Sequence, residues 1–156
     1  MKSRFAVPVV AALLAACRSA SLPPAPAEFL VSEETTRLGL PFSDAVRAGP
    51  FLFLSGQVGN VPGTLQLAPG GIASESRQAL ENIRSILERN GSSMRDVVKC
   101  TVFLADIKEW PAFNEVYRSA FTGRKPARSA LAASGLALGA RVEVECTAYA
   151  PAPGPR

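Results

Sequence analysis

Residues 72–105, IASESRQALENIRSILERNGSSMRDVVKCTVFLA, hold a helix and a strand in succession and decide the fold. In the first half, apolar side chains recur three or four positions apart, which predicts an amphipathic helix over 72–90. The residues on its apolar face are Ala79, Leu80, Ile83, Ile86 and Leu87. The pair Asn90-Gly91 is typical of a left-handed helix end. The segment 97–105 is rich in β-branched residues and apolar on both faces, which predicts a buried strand.

The sequence on either side continues this alternation of strands and helices. The remaining predicted elements are strands at 30–38, 43–47, 51–57, 127–134 and 141–150 and a second amphipathic helix at 110–121. The turn signal Gly49-Pro50 joins the second and third strands as a hairpin. The order β-β-β-α-β-α-β-β predicts an α+β domain with both helices on one face of a mixed sheet. The opposite face is solvated or packed against another subunit, and strands that are apolar on both faces favour the second arrangement.

The first 17 residues, MKSRFAVPVVAALLAAC, have the features of an export signal. Lys2 and Arg4 form a positive start, and an uncharged stretch too short for a comfortable transmembrane helix follows. The residues 14–17, LAAC, resemble the lipobox of bacterial lipoproteins, in which the peptide is cut before the cysteine and Cys17 is acylated to anchor the chain in the membrane. The alternatives are an ordinary cleaved secretory signal and a retained anchor. Arg18, in place of an aspartate, favours the periplasmic face of the outer membrane.

This interpretation divides the chain into four parts. A signal peptide covers 1–16, a tether rich in Pro and Ala covers 17–29, one globular domain covers 30–150, and a loose tail covers 151–156. The 156 residues carry 17 basic and 13 acidic side chains, a formal charge of +4. Removal of the signal peptide takes away two basic residues and no acidic one, which leaves a charge of +2. Such a weak, scattered charge argues against a nucleic-acid partner.

Histidine is absent from the sequence, which excludes several kinds of chemistry. The usual acid or base at neutral pH, nucleophile arrangements of the Ser-His and Cys-His types, and the commonest zinc ligand are all missing. Any catalysis must therefore depend on other groups.

Six short motifs, in order and at compatible spacing, resemble the RidA (YjgF) family of imine and enamine deaminases. They are SGQ at 55–57, QALENI at 78–83, VKCTVFL at 98–104, NEVY at 114–117, PARS at 126–129 and VEVE at 142–145. The resemblance implies a chorismate-mutase-like subunit that assembles as a homotrimer, with a central barrel of sheets and a ligand pocket at each subunit interface. It also implies hydrolysis of 2-imino and 2-enamino acids, such as 2-aminoacrylate, to 2-keto acids and ammonia, with no metal or organic cofactor.

Within this resemblance, Arg128 matches the arginine that holds the substrate carboxylate, a task suited to the fork of N–H donors on a guanidinium. Glu143 matches the glutamate that handles the attacking water and the protons, for which a partly desolvated carboxyl group with a raised pKa is suited. The alternative roles are a surface or interface salt bridge for Arg128 and interface ion pairing for Glu143. A simple hairpin would place the two residues opposite each other, whereas the family topology inserts another strand between them.

Ser55, Gly56 and Asn114 match residues that line the substrate pocket. The hydroxyl and backbone of the first two residues can position substrate, although SGQ also suits the simple end of a strand. Asn114 matches a pocket amide, although an asparagine near a helix start also serves as a local cap. Two positions depart from the family, because Phe42 stands where many members have a pocket tyrosine and Ala130 where many have cysteine.

These departures leave a second function open, namely a non-catalytic trimeric envelope module that binds small carboxylates. The ribonuclease activity attributed to some relatives ranks last, because the mature chain lacks histidine and is close to neutral.

Cys100 and Cys146 remain once Cys17 is assigned to the lipid. Both lie in the middle of predicted strands on faces expected to be buried, where free cysteine is common. Although two cysteines could pair in an oxidising compartment, free thiols are predicted for them.

Overall fold

Residues 26–150 are described by the computed structural model, and they form three α-helices and seven strands. In chain order these elements are β1 (Glu28–Leu30), α1 (Glu33–Arg37), β2 (Ala45–Ala48), β3 (Phe51–Leu54), β4 (Gln57–Val58), α2 (Ile72–Arg89), β5 (Val97–Leu104), α3 (Trp110–Ala120), β6 (Ala127–Ala132) and β7 (Val142–Tyr149). The expected signal peptide, the lipidation residue Cys17, most of the tether and the tail lie outside the described residues. No helix within 26–150 is long and apolar enough to cross a membrane.

The strands form one mixed sheet in the order β1-β2-β3-β7-β5-β6, and the short β4 also pairs with β7. The pairings are antiparallel except for that between β5 and β6. These two strands run parallel because α3 connects them as a crossover on one face of the sheet. The topology places β7, which carries Glu143, inside the sheet, and β6, which carries Arg128, at one edge.

The hydrophobic core lies between the two long helices and one face of the sheet. Helix α2 contributes the fully buried Ile83 and Leu87, and α3 contributes Phe113. The largest strand side chains packed against them are Leu52, Val102, Leu104, Val142 and Val144. This arrangement confirms the predicted α+β class, with both long helices on one face of a mixed sheet.

The opposite side of the sheet, called the open face below, carries exposed aromatic side chains. Phe51, Phe53 and Tyr149 are 37%, 49% and 47% exposed. The rings of Phe51 and Tyr149 pack edge to face with centroids 5.8 Å apart. A contiguous apolar surface of this kind is typical of a face that another protein surface covers.

The first predicted strand, 30–38, is wrong beyond its first residue. β1 ends at Leu30, and residues 33–37 form α1 instead. Ser32 begins this helix, because its hydroxyl accepts a hydrogen bond from the backbone N–H of Thr35 at 3.2 Å. The predicted hairpin is confirmed by the antiparallel pairing of β2 with β3.

The prediction of free thiols at Cys100 and Cys146 is wrong, because the two residues form a disulfide. They are direct partners across β5 and β7, and their Cα atoms lie 4.1 Å apart. Directly opposed residues on one face of an antiparallel pair lie close enough for their sulfur atoms to bond. The pairing depends on the register of two strands 46 residues apart in sequence, which periodicity alone does not fix.

Candidate functional site

A break between β3 and β4 forms one wall of the candidate site. Both strands pair with β7, and Ser55 and Gly56 lie between them outside either strand. The Ser55 hydroxyl donates a 2.7 Å hydrogen bond to the carbonyl oxygen of Ser43, and its backbone N–H donates to that of Asp44 at 3.0 Å. These bonds fix the wall to the loop before β2. The Ser55 oxygen keeps acceptor capacity for a ligand.

Gly56 lies against the side chain of Glu143. A Cβ at position 56 would be 1.9 Å from Oε1 and 2.9 Å from Cδ of Glu143. Since no Cβ can approach another atom that closely, only glycine leaves room for the carboxyl group. The glycine of the SGQ motif therefore leaves room for the Glu143 side chain in the site, and the motif also lies at the end of a strand.

Glu143 projects from β7 toward the open face of the sheet. Its neighbours across the sheet are Val58 of β4 and Phe103 of β5. Burial, and to a smaller extent the negative charge of Glu145, raises the pKa of the Glu143 carboxyl. A partly desolvated carboxyl group with a raised pKa is suited to both accepting and donating a proton.

Ser55, Gly56 and Glu143, called the Glu143 cluster below, line one cavity of about 550 Å³. Polar and apolar side chains share the rest of its wall, and the apolar members are Leu38, Leu40, Phe42, Val58, Pro62, Leu65, Ile86, Ala137 and Leu138. Most of the exposed surface of the wall is apolar, and a cavity that combines apolar surface with polar groups is typical of a small-molecule site. The structure thus places Phe42, the departure from the family tyrosine, in the same cavity as Glu143.

Two other acidic residues line this cavity, but their oxygens have partners in the protein. Asp44 accepts hydrogen bonds from the backbone N–H of Ser32 at 2.6 Å and from the hydroxyl of Thr35 at 2.5 Å. Glu34 accepts one from the backbone N–H of Gly63. Glu143 has no such partner within the described residues, so it is the carboxyl group that is available to a ligand.

Arg128 lies on the edge strand β6 and points toward α3. Its guanidinium carbon is 4.5 Å from the ring centroid of Tyr117, 5.6 Å from that of Phe113 and 5.9 Å from that of Trp110. Distances of this size define cation–π contacts. Arg128 forms no ion pair or hydrogen bond with any residue in the 26–150 range, and it is only partly buried. Its N–H groups are thus available to an anionic ligand.

Asn114 belongs to the same face of α3 as these aromatic residues. Trp110, Phe113, Asn114 and Tyr117 are spaced as i, i+3, i+4 and i+7, which puts them on one side of a helix. The N-cap of α3 is Glu109, so Asn114 lies inside the helix and is not its cap. These four residues together with Arg128 are called the Arg128 cluster below.

The two clusters lie on opposite faces of the sheet in one subunit. β5 separates β6 from β7, and Arg128 is level with Cys100, whose side chain is buried under the helices. Glu143 is level with Phe103, three residues further along β5, and points to the open face. The direct pairing of Arg128 with Glu143 that a simple hairpin would give is therefore not present. The structure brings Ser55, Gly56 and Glu143 together, and it places Arg128 and Asn114 in a separate group.

Some residues of these clusters were not predicted from the sequence. The aromatic residues of α3 were predicted only as part of the amphipathic helix 110–121, because periodicity does not distinguish a ring that contacts Leu from one that contacts Arg. Leu138 has a positive φ of 60° at the edge of the cavity. Such strain in a non-glycine residue often marks a functional site, but it has no signature in a single sequence. Among residues 26–150, no group of three or more His, Cys, Asp or Glu side chains is placed to hold a metal ion.

Comparison with known proteins identifies the family. The model of the family described as Endoribonuclease L-PSP matches residues 35–150. The 2-iminobutanoate/2-iminopropanoate deaminase of Mus musculus is 44% identical over 108 residues, which cover 69% of this chain and 80% of the mouse protein. The RutC family protein PH0854 of Pyrococcus horikoshii is 41% identical over 122 residues, covering 78% of this chain and 97% of that protein.

A solved structure supports the same assignment. The YjgF gene product of E. coli superposes with a TM-score of 0.72 at 30% identity, over 78% of this chain and 98% of the E. coli chain. Motif order, fold and sequence identity thus agree over nearly all of the described residues. The chain belongs to the Endoribonuclease L-PSP family, which includes the RidA and YjgF proteins.

Proposed function

We propose that this protein is a cofactor-independent deaminase that hydrolyses reactive 2-imino and 2-enamino acids, such as 2-aminoacrylate, to 2-keto acids and ammonia. The observation that carries the proposal is the pair of available charged groups. Among residues 26–150, the Glu143 carboxyl group has no hydrogen-bond or ion-pair partner in its cavity, and the Arg128 guanidinium has no acidic partner. The names of the mammalian relatives, 2-iminobutanoate/2-iminopropanoate deaminase, support the same reaction.

Arg128 binds the substrate carboxylate in this proposal. A guanidinium and a carboxylate form two parallel charge-assisted hydrogen bonds, which fix the orientation of the substrate as well as attracting it. Asn114, on the adjacent helix face, can add an amide hydrogen bond.

Glu143 carries the protons. An imine takes up a proton from solvent at nitrogen and an enamine takes one up at C3, so both react as the same iminium ion. As the oxygen of a water molecule bonds to C2 of this ion, the C=N π electrons return to nitrogen and the Glu143 carboxylate accepts one proton of that water. The Glu143 carboxyl group then delivers that proton to the amine of the resulting carbinolamine. The C–N bond breaks as the hydroxyl oxygen forms the carbonyl of the 2-keto acid, the hydroxyl proton passes to the Glu143 carboxylate, and ammonia leaves. A raised pKa suits both halves of this sequence, because the group must accept and donate within one turnover.

The two clusters meet between subunits of a homotrimer in this proposal. Within one subunit they occupy opposite faces of the sheet, so one substrate cannot contact both in the same chain without crossing the sheet. Arg128 lies on an edge strand, and the open face beside Glu143 carries exposed aromatic residues. Packing of one subunit's edge against the next subunit's open face would complete each site and bury that apolar surface.

We also propose that the chain is exported and held at the periplasmic face of the outer membrane through acylated Cys17. The basis is the sequence of residues 1–17, and the buried Cys100–Cys146 disulfide adds support, because disulfides persist mainly in oxidising compartments. Metabolic labelling with a radioactive fatty acid tests this. Label is expected in the wild type and not in Cys17→Ser, and equal labelling of both would contradict the anchor.

The reaction itself is tested by the release of ammonia from 2-aminoacrylate or 2-iminobutanoate generated in situ. The purified protein is expected to accelerate it, and Arg128→Ala and Glu143→Gln are expected to abolish the acceleration. No acceleration by the wild type, or unchanged activity in Arg128→Ala, would overturn the proposal. If calorimetry shows that the protein binds a 2-keto acid but no ammonia is released, the protein is a binding module and not an enzyme.

A further inference from the structure

We propose that Tyr117, Phe113 and Trp110 form an aromatic cluster that positions Arg128 for its ligand in place of an acidic partner. The three ring centroids lie within 6 Å of the guanidinium carbon, and the rings occupy none of its N–H groups. The nature of that ligand, a small carboxylate, rests on the proposed function, whereas the positioning itself does not.

The arginines elsewhere in the described part of the chain provide the contrast. Of the nine other arginines in 26–150, four pair with acidic residues, namely Arg47 with Glu28, Arg84 with Glu81, Arg118 with Glu115 and Arg141 with Glu109. The other five, like Arg128, form no such pair, but among the described arginines only Arg128 has its guanidinium within 6 Å of ring centroids, the usual limit for a cation–π contact. A long side chain without any partner would sample many rotamers, so the rings are what restricts it.

The chemistry of the contact explains its use in a binding site. A bound carboxylate from Asp or Glu would occupy the same N–H donors that a substrate carboxylate needs, and the substrate would have to displace it. An aromatic ring attracts the cation through its π-electron face and competes for none of those donors. The guanidinium is therefore both oriented and unoccupied.

Of the three rings, that of Tyr117 makes the shortest contact with the Arg128 guanidinium, and this contact involves the ring and not the hydroxyl group. The Tyr117 hydroxyl is buried and has no hydrogen-bond partner among residues 26–150. Burial raises the pKa of Tyr117 to about 12, against the opposing effect of Arg128, so the phenol stays neutral and forms no ion pair with the guanidinium. Removal of the hydroxyl alone should thus leave the contact intact.

The experiment compares Tyr117→Leu with Tyr117→Phe and with Phe121→Leu. Phe121 is a buried ring at the same end of the helix, 4.6 Å from the Tyr117 ring, and the cation–π contacts of Arg128 in 26–150 do not include it, so Phe121→Leu controls for lost core packing. Trp110→Leu is a fourth variant at a position that is 42% exposed, where folding is not at risk.

The first measurement is independent of activity. The Nε–H resonance of Arg128 in a ¹H–¹⁵N spectrum, assigned with Arg128→Lys, should be displaced by the ring currents of the aromatic cluster. Tyr117→Leu and Trp110→Leu are expected to move it toward the position of a solvated arginine, whereas Tyr117→Phe and Phe121→Leu leave it in place. The positioning role is overturned if the Arg128 Nε–H of the wild type already has the chemical shift of a solvated arginine. It is also overturned if Tyr117→Leu does not change that chemical shift.

The second measurement separates binding from chemistry. Tyr117→Leu should raise KM for the imino acid, and the dissociation constant of 2-oxobutanoate, by about 3- to 30-fold, the range that one or two cation–π contacts supply. kcat should change far less, and Tyr117→Phe should restore KM. Equal losses in Tyr117→Leu and Phe121→Leu would assign the effect to packing and contradict the proposal. If the wild type is inactive, the proposed function fails, and the resonance of Arg128 still decides the positioning role.

Discussion

The carboxyl group of Glu143 occupies the space that a Cβ on residue 56 would need. The distance from that Cβ to Oε1 of Glu143 would be 1.9 Å. The position of Glu143 on β7 therefore requires a glycine at position 56, in the break between β3 and β4. In the proposed reaction Glu143 carries the protons, and Gly56 leaves the space that its carboxyl group occupies.

Replacement of Gly56 by alanine is therefore expected to damage the site through Glu143. The methyl group displaces the carboxyl group, and misplacement of a catalytic group by about 1 Å can cost on the order of 100-fold in rate. Steady-state ammonia release should show kcat/KM reduced by about that factor with the fold intact by circular dichroism. Gly123→Ala is the matched control, because a Cβ there meets no atom within 4 Å. Equal activities of the two variants would contradict the tight contact.

The raised pKa of Glu143 predicts a pH-dependent difference in stability. The folded chain holds the Glu143 proton more tightly than the unfolded chain, so its free energy of unfolding should fall as pH rises from the ordinary pKa of 4.5 through the raised folded value. The glutamine of the Glu143→Gln variant cannot ionise, so the free energy of unfolding of this variant lacks this decrease. Urea unfolding over a pH series that starts below 4.5 should therefore show the variant gaining stability relative to the wild type as the pH rises, until Glu143 is ionised in the folded chain. A difference that is independent of pH would contradict the raised pKa, and Glu145→Gln, which removes its secondary cause, should narrow the pH range of the decrease.

Much of this site could be predicted from the sequence, because the side chains along a strand alternate between only two faces of the sheet. The alternation of 141–150 predicts that Glu143 and Glu145 share one face while Val142 and Val144 share the other, and the structure agrees. Helix α2 ends at Arg89, within one residue of its predicted end. This end could be predicted because the Asn90-Gly91 signal acts locally in the sequence.

The features that were missed depend on contacts between distant segments. α1 was missed because a single Ser32 cap converts a short polar run into a helix, and five residues are too few for periodicity to be recognised. The disulfide and the separation of Arg128 from Glu143 both depend on β5 lying between β6 and β7. No property of the individual strands specifies that order.

Loss of the Cys100–Cys146 disulfide is expected to destabilise the fold. The link closes a loop of 46 residues, and the double variant Cys100→Ala/Cys146→Ala should lose about 2–4 kcal/mol of unfolding free energy. Urea unfolding with and without a reducing agent measures this. The wild type should approach the double variant when reduced, and the double variant should not respond. If thiol titration of the denatured wild type finds reactive groups beyond Cys17, the disulfide is absent in solution.

The departure at Phe42 predicts a gain of function. This residue lines the cavity with Glu143, and a tyrosine there would add a hydroxyl group to an apolar part of its wall. One new hydrogen bond to a neutral group is worth about 1 kcal/mol, so Phe42→Tyr should raise kcat/KM for 2-aminoacrylate by about 5-fold. Phe42→Leu keeps the wall apolar and serves as the control. Equal kcat/KM values for the two variants would show that the hydroxyl does not reach the substrate.

A site shared between subunits predicts that two inactive variants restore each other. Arg128→Ala subunits keep Glu143, and Glu143→Gln subunits keep Arg128. In a cyclic trimer each interface joins one cluster from each neighbour, so random assembly of an equal mixture should recover about a quarter of the wild-type sites. The variants are unfolded together, refolded together and assayed for ammonia release, with each variant refolded alone as the control. Activity of the mixture near that fraction would require sites made by two chains, because a site contained in one chain would stay inactive at every mixing ratio.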